Sequence, residues 1–239
     1  MPFVVTQLTR MRDGHVCIAG IDSATGHHMR PVLQGGQRFM ATVLARNGGP
    51  FEFGAVVELG QTQRRSQPPE VEDVVLLGQP TRTGEFTPQD FWALLDSTAQ
   101  PTLSGIFGAA LEKKGAHACG TSCGQGQASL GILRPKRPVR IDMREFKEGT
   151  KIKASVPFGT EIVSVPVTDV RLFEVDCITP SRTRFTRMSR LLQSGFPVLL
   201  AMGLARAWAA NGCEAVHYLQ LNGIFVNNGS LWRDCDDRA

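Results

Sequence analysis

The first 80 residues consist of short apolar segments separated by turn residues, and this pattern most constrains the fold. Asp13-Gly14 supplies the positive φ angles of a tight turn, so the apolar residues on either side are predicted to form two adjacent strands. Short strands closed by turns predict a small barrel or sandwich. The strand-like segments are residues 4–11, 16–21, 29–33, 54–60 and 71–78.

A helix is predicted after these strands. Thr87 is suited to cap it, Pro88 fits its first position, and Asp90 lies in its first turn. Phe91 and Leu95 give the segment an apolar face. We expect this helix to pack on the first barrel.

The middle of the chain divides it into two predicted units. Residues 113–128 are rich in glycine and poor in large apolar side chains, which predicts a loop or linker. Strand-like segments then resume, followed by a helix from about residue 182 to 193 and closing strands. The second half thus repeats the layout of the first. The predicted division is a first barrel with its helix at 1–112, a linker at 113–128 and a second barrel with its helix at 129–239.

Composition favours a folded cytoplasmic protein. Hydrophobic residues make up 42% of the 239 residues, enough for a sizeable core. No apolar stretch approaches the roughly 18 to 20 residues that a membrane helix needs, and the first residues lack the features of a secretory signal. Without an export signal the six cysteines are expected to be mainly reduced thiols. The net charge of +4 suits a nucleic-acid partner.

The second predicted helix carries an unbalanced row of arginines. No Asp or Glu occurs between Asp176 and Glu214. Residues three apart on a helix are surface neighbours, so Arg184, Arg187 and Arg190 are predicted to form a basic stripe that contacts phosphate groups. The alternative is a solvated helix whose apolar side caps the barrel and whose arginines pair with distant carboxylates. The candidate residues are Arg182, Arg184, Arg187 and Arg190.

A second basic cluster lies before residues 139–143, where two prolines favour an edge strand or loop. Arg134, Lys136 and Arg137 are predicted to contact phosphates there, the alternative being an ordinary solvated edge. Arg30 is a further candidate for a ligand contact, or else its guanidinium bridges a turn to a carboxylate. Trp208 and Trp232 are the candidates for base stacking.

Evidence for catalysis or metal binding is sparse. His117, Cys119 and Cys123 could supply three zinc ligands, but the expected second pair is missing, which favours an irregular loop with incidental thiols. His27 and His28 would point to opposite faces of a strand and so would not act as a pair. The sequence contains no nucleophile elbow, P-loop, dinucleotide fingerprint or His-Glu-x-x-His motif. We therefore predict no catalytic residues, cofactor or metal.

Several segments carry a resemblance to a known family. Cys17-Ile-Ala-Gly-Ile-Asp-Ser-Ala-Thr-Gly-His-His-Met-Arg-Pro-Val32 resembles the opening signature of the dual OB-containing domain family of prokaryotes, with His28 where the family usually has an aromatic residue. Later landmarks occur in matching order at residues 69–74, 105–108, 129–132, 167–172 and 218–224. The resemblance implies a mainly β fold of two tandem OB-like barrels. It also implies nucleic-acid binding, by association with prokaryotic conflict systems such as antiphage defence, and no established catalytic residues.

Three functional hypotheses follow. The first is a non-catalytic nucleic-acid-binding adaptor in a larger prokaryotic defence assembly. The second is a protein-interaction subunit in which the arginine-rich helix docks on an acidic face of a partner while nucleic acid binds elsewhere. The third is a metal-dependent hydrolase that uses His27, His28 or a metal held by Cys119 and Cys123.

Overall fold

The computed structural model describes residues 2–115, 118–147, 149–209, 214–234 and 236. Most of the regular structure is β, as predicted. The strands and the helix of the first unit are β1 Pro2–Arg10, β2 His15–Asp22, β3 His28–Val32, β4 Phe39–Met40, β5 Ala55–Glu58, β6 Thr62–Arg64, β7 Asp73–Leu76, β8 Thr81–Glu85 and α1 Pro88–Thr98.

The first unit is a curled sheet in the order β6-β7-β3-β2-β1-β5-β8, with β4 on β2. Strands β1, β2 and β3 form an antiparallel meander, and the predicted turn between the first two is confirmed by the positive φ angles of Asp13 and Gly14. Strand β3 pairs in parallel with β7, and β1 pairs with β5. This connectivity is that of a partly open OB-like barrel.

The second unit is also built mainly of strands, but its long helix precedes the last two strands. Its elements are β9 Ala99–Gln100, α2 Leu103–Phe107, β10 Glu112–Lys113, β11 Cys119–Ser122, β12 Leu130–Leu133, β13 Arg140–Phe146, β14 Gly149–Phe158, β15 Glu161–Pro166, α3 Arg182–Leu192, β16 Val198–Leu204 and β17 Val216–Val226.

The second unit is the more regular OB-like barrel. Its first strand is split into β12, which pairs with β16, and β13, which pairs with β14. The meander continues into β15, α3 follows, and β16 and β17 form the closing hairpin. A parallel bridge from Val167 to Leu221 connects the end of the meander to the last strand. Two tandem OB-like barrels, as predicted, are therefore the architecture of the chain.

Both predicted helices are confirmed. The Thr87 hydroxyl accepts a hydrogen bond from the Asp90 backbone N–H at 3.1 Å, and Phe91 and Leu95 are buried. In α3 the buried side chain is Met188, while most of the polar residues face outward. Across the described residues, no helix is both long and apolar enough to span a membrane.

The predicted loop at 113–128 is wrong for residues 119–122, which form β11. This strand pairs with the start of β17, where Gly120 lies opposite Tyr218. A Cβ on Gly120 would collide with the Val216 side chain and the His217 carbonyl oxygen. Glycine is therefore needed here for the close packing of two strands, although its presence in the sequence favoured a loop.

The two barrels share their cores. Ile132, Leu199 and Phe225 of the second unit pack in the first core. Leu103 and Phe107, which the predicted division assigned to the first barrel, pack in the second core. Such exchange of side chains joins the barrels tightly, and the division at 1–112 and 129–239 stays a prediction.

Candidate nucleic-acid interface

Helix α3 presents three exposed arginines, Arg182, Arg187 and Arg190. Arg184 is only 13% exposed, and its Nη1 lies 3.7 Å from Asp234 Oδ1. The predicted stripe is therefore wrong in its first member. Arg184 is turned inward because a carboxylate of the C-terminal segment compensates its charge there.

Two of the exposed arginines of α3, Arg182 and Arg187, make contacts within the protein. Arg182 Nη2 lies 3.5 Å from Glu145 Oε1 of β13, which is the pairing with a distant carboxylate that the alternative predicted. The Arg187 guanidinium lies 4.3 Å from the centroid of the Trp232 ring. Stacking on an indole restrains a guanidinium while leaving its N–H groups able to bind an anion.

The two tryptophan candidates differ in accessibility. Trp232 is 6% exposed, and Arg171 and Arg187 both approach its ring, so the prediction that it stacks on bases is wrong. Trp208 is 53% exposed in the β16–β17 connection, with its ring centroid 6.3 Å from that of Tyr218. Trp208 therefore keeps an accessible aromatic surface.

The second predicted cluster lies in the connection between β12 and β13. Lys136 and Arg137 are exposed there, immediately before the outward-pointing Arg140 at the start of β13. Arg134 instead pairs with Asp96 of α1, with Nη2 and Oδ1 2.5 Å apart. The prolines favoured an irregular segment, and the structure places one between two strands.

Arg30 does not belong to a surface site. It is 3% exposed, and its Nε lies 2.5 Å from Asp73 Oδ1. Arg206 reaches the other oxygen of the same carboxylate at 2.7 Å. The ligand contact predicted for Arg30 is wrong because its charge is neutralised inside the protein, as the carboxylate-bridging alternative expected. A buried guanidinium is stable only when it is paired in this way.

A further basic surface, not predicted as a site from the sequence, lies on the outer face of strands β13, β14 and β15. Alternate residues of a strand share a face, and the register places Arg144 opposite Lys151 and Asp142 opposite Lys153. The inward-facing residues of this sheet, such as Ile152 and Val163, are buried in the second core. We call the outward-facing set the β13–β15 face: Arg140, Asp142, Arg144, Phe146, Lys151 and Lys153.

An exposed aromatic ring lies within this basic face. Phe146 is 41% exposed at the end of β13. The Nζ atoms of Lys151 and Lys153 lie 5.3 and 5.6 Å from its ring centroid. The carboxylate of the face, Asp142, is 3.4 Å from Arg144. Two lysines beside an exposed aromatic ring, with Arg144 on the same face of the strand, can attract phosphates and stack on a base.

Sequence reasoning missed this face because acidic residues are interleaved with the basic ones along the chain. Glu145 follows Arg144 directly, yet it lies on the opposite side of the strand and reaches α3. The face could have been found by treating residues 140–146 and 149–158 as two strands of a hairpin. Alternate side chains of each strand then point to opposite faces, which places Glu145 on one face and the basic residues on the other, namely Arg140, Arg144, Lys151 and Lys153.

The thiol candidates do not converge in the described part of the chain. Cys119 is buried, and this burial raises the pKa of its thiol. Cys123 is exposed, and its Sγ donates to the Ala215 carbonyl oxygen at 3.4 Å. His117 lies outside the described residues. Among the residues that are described, no group of three or more His, Cys, Asp or Glu could hold a metal ion.

His27 and His28 differ in their surroundings. His27 is exposed, whereas Nδ1 of His28 is buried and has no hydrogen-bond partner among the described residues. Burial, together with the neighbouring His27, lowers the pKa of His28 to about 4. A ring that is neutral at physiological pH serves here as a packing group.

Comparison with known proteins identifies the architecture. The model of the dual OB-containing domain family matches residues 3–224, nearly the whole chain, and confirms the resemblance carried by Cys17–Val32. No curated protein and no solved structure matches the sequence.

Proposed function

The chain belongs to the dual OB-containing domain family, and we propose that it is a non-catalytic adaptor that binds nucleic acid through the β13–β15 face. The observation that carries the proposal is the exposed Phe146 ring among Arg144, Lys151 and Lys153. OB barrels bind oligonucleotides on the face of their second and third strands. In the second barrel these strands are β14, which carries Lys151 and Lys153, and β15, and the remaining residues of the β13–β15 face lie on the neighbouring β13.

The chemistry of the face favours a flexible single strand. Base stacking on an aromatic side chain contributes about 1–3 kcal/mol per base and needs an unpaired base. The cations would contact the backbone and release counterions, so four phosphate contacts predict a slope of about −3 in a plot of log affinity against log salt for a single strand. Lys136 and Arg137 lie four and three residues before Arg140 and could extend the path of the nucleic-acid backbone.

Fluorescence anisotropy with labelled single-stranded and duplex DNA and RNA, between about 50 and 300 mM salt, tests the proposal. The combined change Arg144→Glu, Lys151→Glu and Lys153→Glu should weaken single-strand binding at least about tenfold and flatten the salt dependence. The matched control reverses three exposed charges of the first barrel, Arg38, Arg64 and Arg65. Equal losses in both variants, or binding that ignores salt, would refute a specific role for the β13–β15 face.

We place this adaptor in a cytoplasmic assembly, as part of prokaryotic antiphage defence. The support is the association between the family and prokaryotic conflict systems that the resemblance implies. Deleting the gene in its host and measuring phage plaque formation tests the placement. An unchanged plaque count across diverse phages would contradict it.

A further inference from the structure

A cleft lies between helices α1 and α3 on the side of the molecule where the chain leaves β17. Its walls include Phe91 and Trp92 of α1, Met188 and Leu191 of α3, and Leu231. Trp232 and the buried Arg171 also line it. The cleft is therefore mainly apolar, and its polar lining comes from Gln89, Arg171, Arg187 and the connection at residues 227–230.

The rim of the cleft is basic. Arg187 lines both the cleft and an adjoining surface groove, which Arg182 and Arg190 also line. Within the described part of the chain, none of the residues that line the cleft or this groove is an Asp or a Glu. An apolar hollow next to a row of guanidinium groups is complementary to a ligand that is apolar at one point and anionic beside it.

We propose that this cleft is a docking site for an acidic peptide segment of a partner protein, anchored by one large apolar side chain. The anchor would fill the space between Trp92, Met188 and Leu191, while carboxylates of the segment would pair with Arg187 and Arg190. These two arginines are three positions apart on α3 and so lie about 4.5 Å apart along the helix axis. The inference rests on the adaptor part of the proposed function and is independent of nucleic-acid binding.

The accessibility of the aromatic rings favours a peptide over nucleic acid at this site. Phe91 is buried, Trp232 is covered by Arg187, and Trp92 is half-buried, so none of the three offers a fully open ring to a base. A nucleic acid also presents a phosphate at every nucleotide, whereas the cleft offers an apolar hollow beside the arginines. On the β13–β15 face, by contrast, the Phe146 ring is exposed and can stack on a base.

Intrinsic fluorescence reports directly on the cleft. The chain has three tryptophans, and both that line the cleft, Trp92 and Trp232, remain in a Trp208→Phe variant. This protein is titrated with the synthetic peptide Asp-Asp-Leu-Asp-Asp-Phe-Asp-Asp-Leu-Asp, which carries no tryptophan. We expect a saturable change in tryptophan emission. Two control peptides, one with Asn in place of every Asp and one with Ala in place of Leu and Phe, should each bind about tenfold more weakly.

The combined change Arg187→Glu and Arg190→Glu should weaken peptide binding about tenfold or more. The control change Arg64→Glu and Arg65→Glu should leave it unaltered and should keep the urea midpoint of the parent, because both residues are exposed. The Arg187→Glu and Arg190→Glu variant should stay folded and lose about 1 kcal/mol in urea unfolding, because Arg187 stacks on Trp232. Anisotropy with a thymidine oligonucleotide is measured on the same proteins. We expect both variants to retain oligonucleotide binding.

Two results would overturn the inference. The first is the absence of a saturable emission change with the acidic peptide. The second is an oligonucleotide that produces this change and loses affinity when Arg187 and Arg190 are reversed, which would assign the cleft to nucleic acid. Neither result would count against binding at the β13–β15 face, which depends on Arg144, Lys151 and Lys153.

Discussion

Replacing Asp169 with Asn should strongly destabilise the fold, because it leaves a buried guanidinium without its counter-charge. Asp169 is fully buried, and Arg171 is 2% exposed. Arg171 donates to both carboxylate oxygens, from Nε at 3.0 Å and from Nη2 at 2.6 Å. The guanidinium also lies 4.1 Å from the centroid of the Phe53 ring, which belongs to the first core. The pair therefore lies where the two barrels meet.

The expected magnitude follows from this burial. Breaking a buried ion pair by removing one partner costs about 3–5 kcal/mol. Folded domains are stable by about 5–15 kcal/mol in total, so the loss is a large share of the stability. For a chain of this length each kcal/mol corresponds to about 2–4 °C, which predicts a melting temperature roughly 6–20 °C lower.

Urea unfolding followed by tryptophan fluorescence measures the effect. Glu161→Gln is the matched control, since it removes an exposed ion pair with Lys113 and should cost less than about 1 kcal/mol. Adding Arg171→Met to Asp169→Asn should restore part of the loss because no unpaired charge remains. If Asp169→Asn unfolds within about 1 kcal/mol of the parent, the carboxylate is not what stabilises Arg171.

Local chemistry explains which features could be predicted. The Asp13-Gly14 turn and the Thr87 cap depend on neighbouring residues, and both appear in the structure as expected. Arg30 and Arg184 are turned inward because they pair with Asp73 and Asp234, which lie 43 and 50 positions away in the sequence. The residues next to these arginines give no indication of such distant contacts. The β13–β15 face likewise exists only once the hairpin register is fixed.

Three further predictions test packing, protonation and stacking. Gly20→Ala should cost about 1–3 kcal/mol in urea unfolding because its Cβ would overlap the Val4 carbonyl oxygen, whereas Gly84→Ala, whose Cβ would meet no atom closer than 4.0 Å, should be nearly neutral. The folded-state pKa of His28, about 4, is below the ordinary value of about 6.5, so the unfolded chain takes up this proton first and the folded state loses stability as the pH falls from 6.5 towards 4. His28→Phe should remove this loss, which is measured by comparing the urea midpoints of variant and parent at about pH 6.5 and about pH 4. Phe146→Ala should weaken single-strand binding by about 1–3 kcal/mol in anisotropy without changing the salt slope, and an altered slope would contradict a stacking role.

The distribution of charge between interior and surface explains how a chain with a net charge of only +4 can attract polyanions. Among the residues that the structure describes, three arginines are buried, together with six Asp and Glu residues. The whole chain has 26 basic and 22 acidic residues, so subtracting the buried ones leaves 23 basic and 16 acidic residues. The less buried part of the chain therefore has a formal excess of seven positive charges, which strengthens contacts with an anionic partner at short range. Selection between partners must come from the shape around the arginines and lysines. An open ring at Phe146 favours a base, and an apolar cleft beside Arg187 favours a peptide side chain.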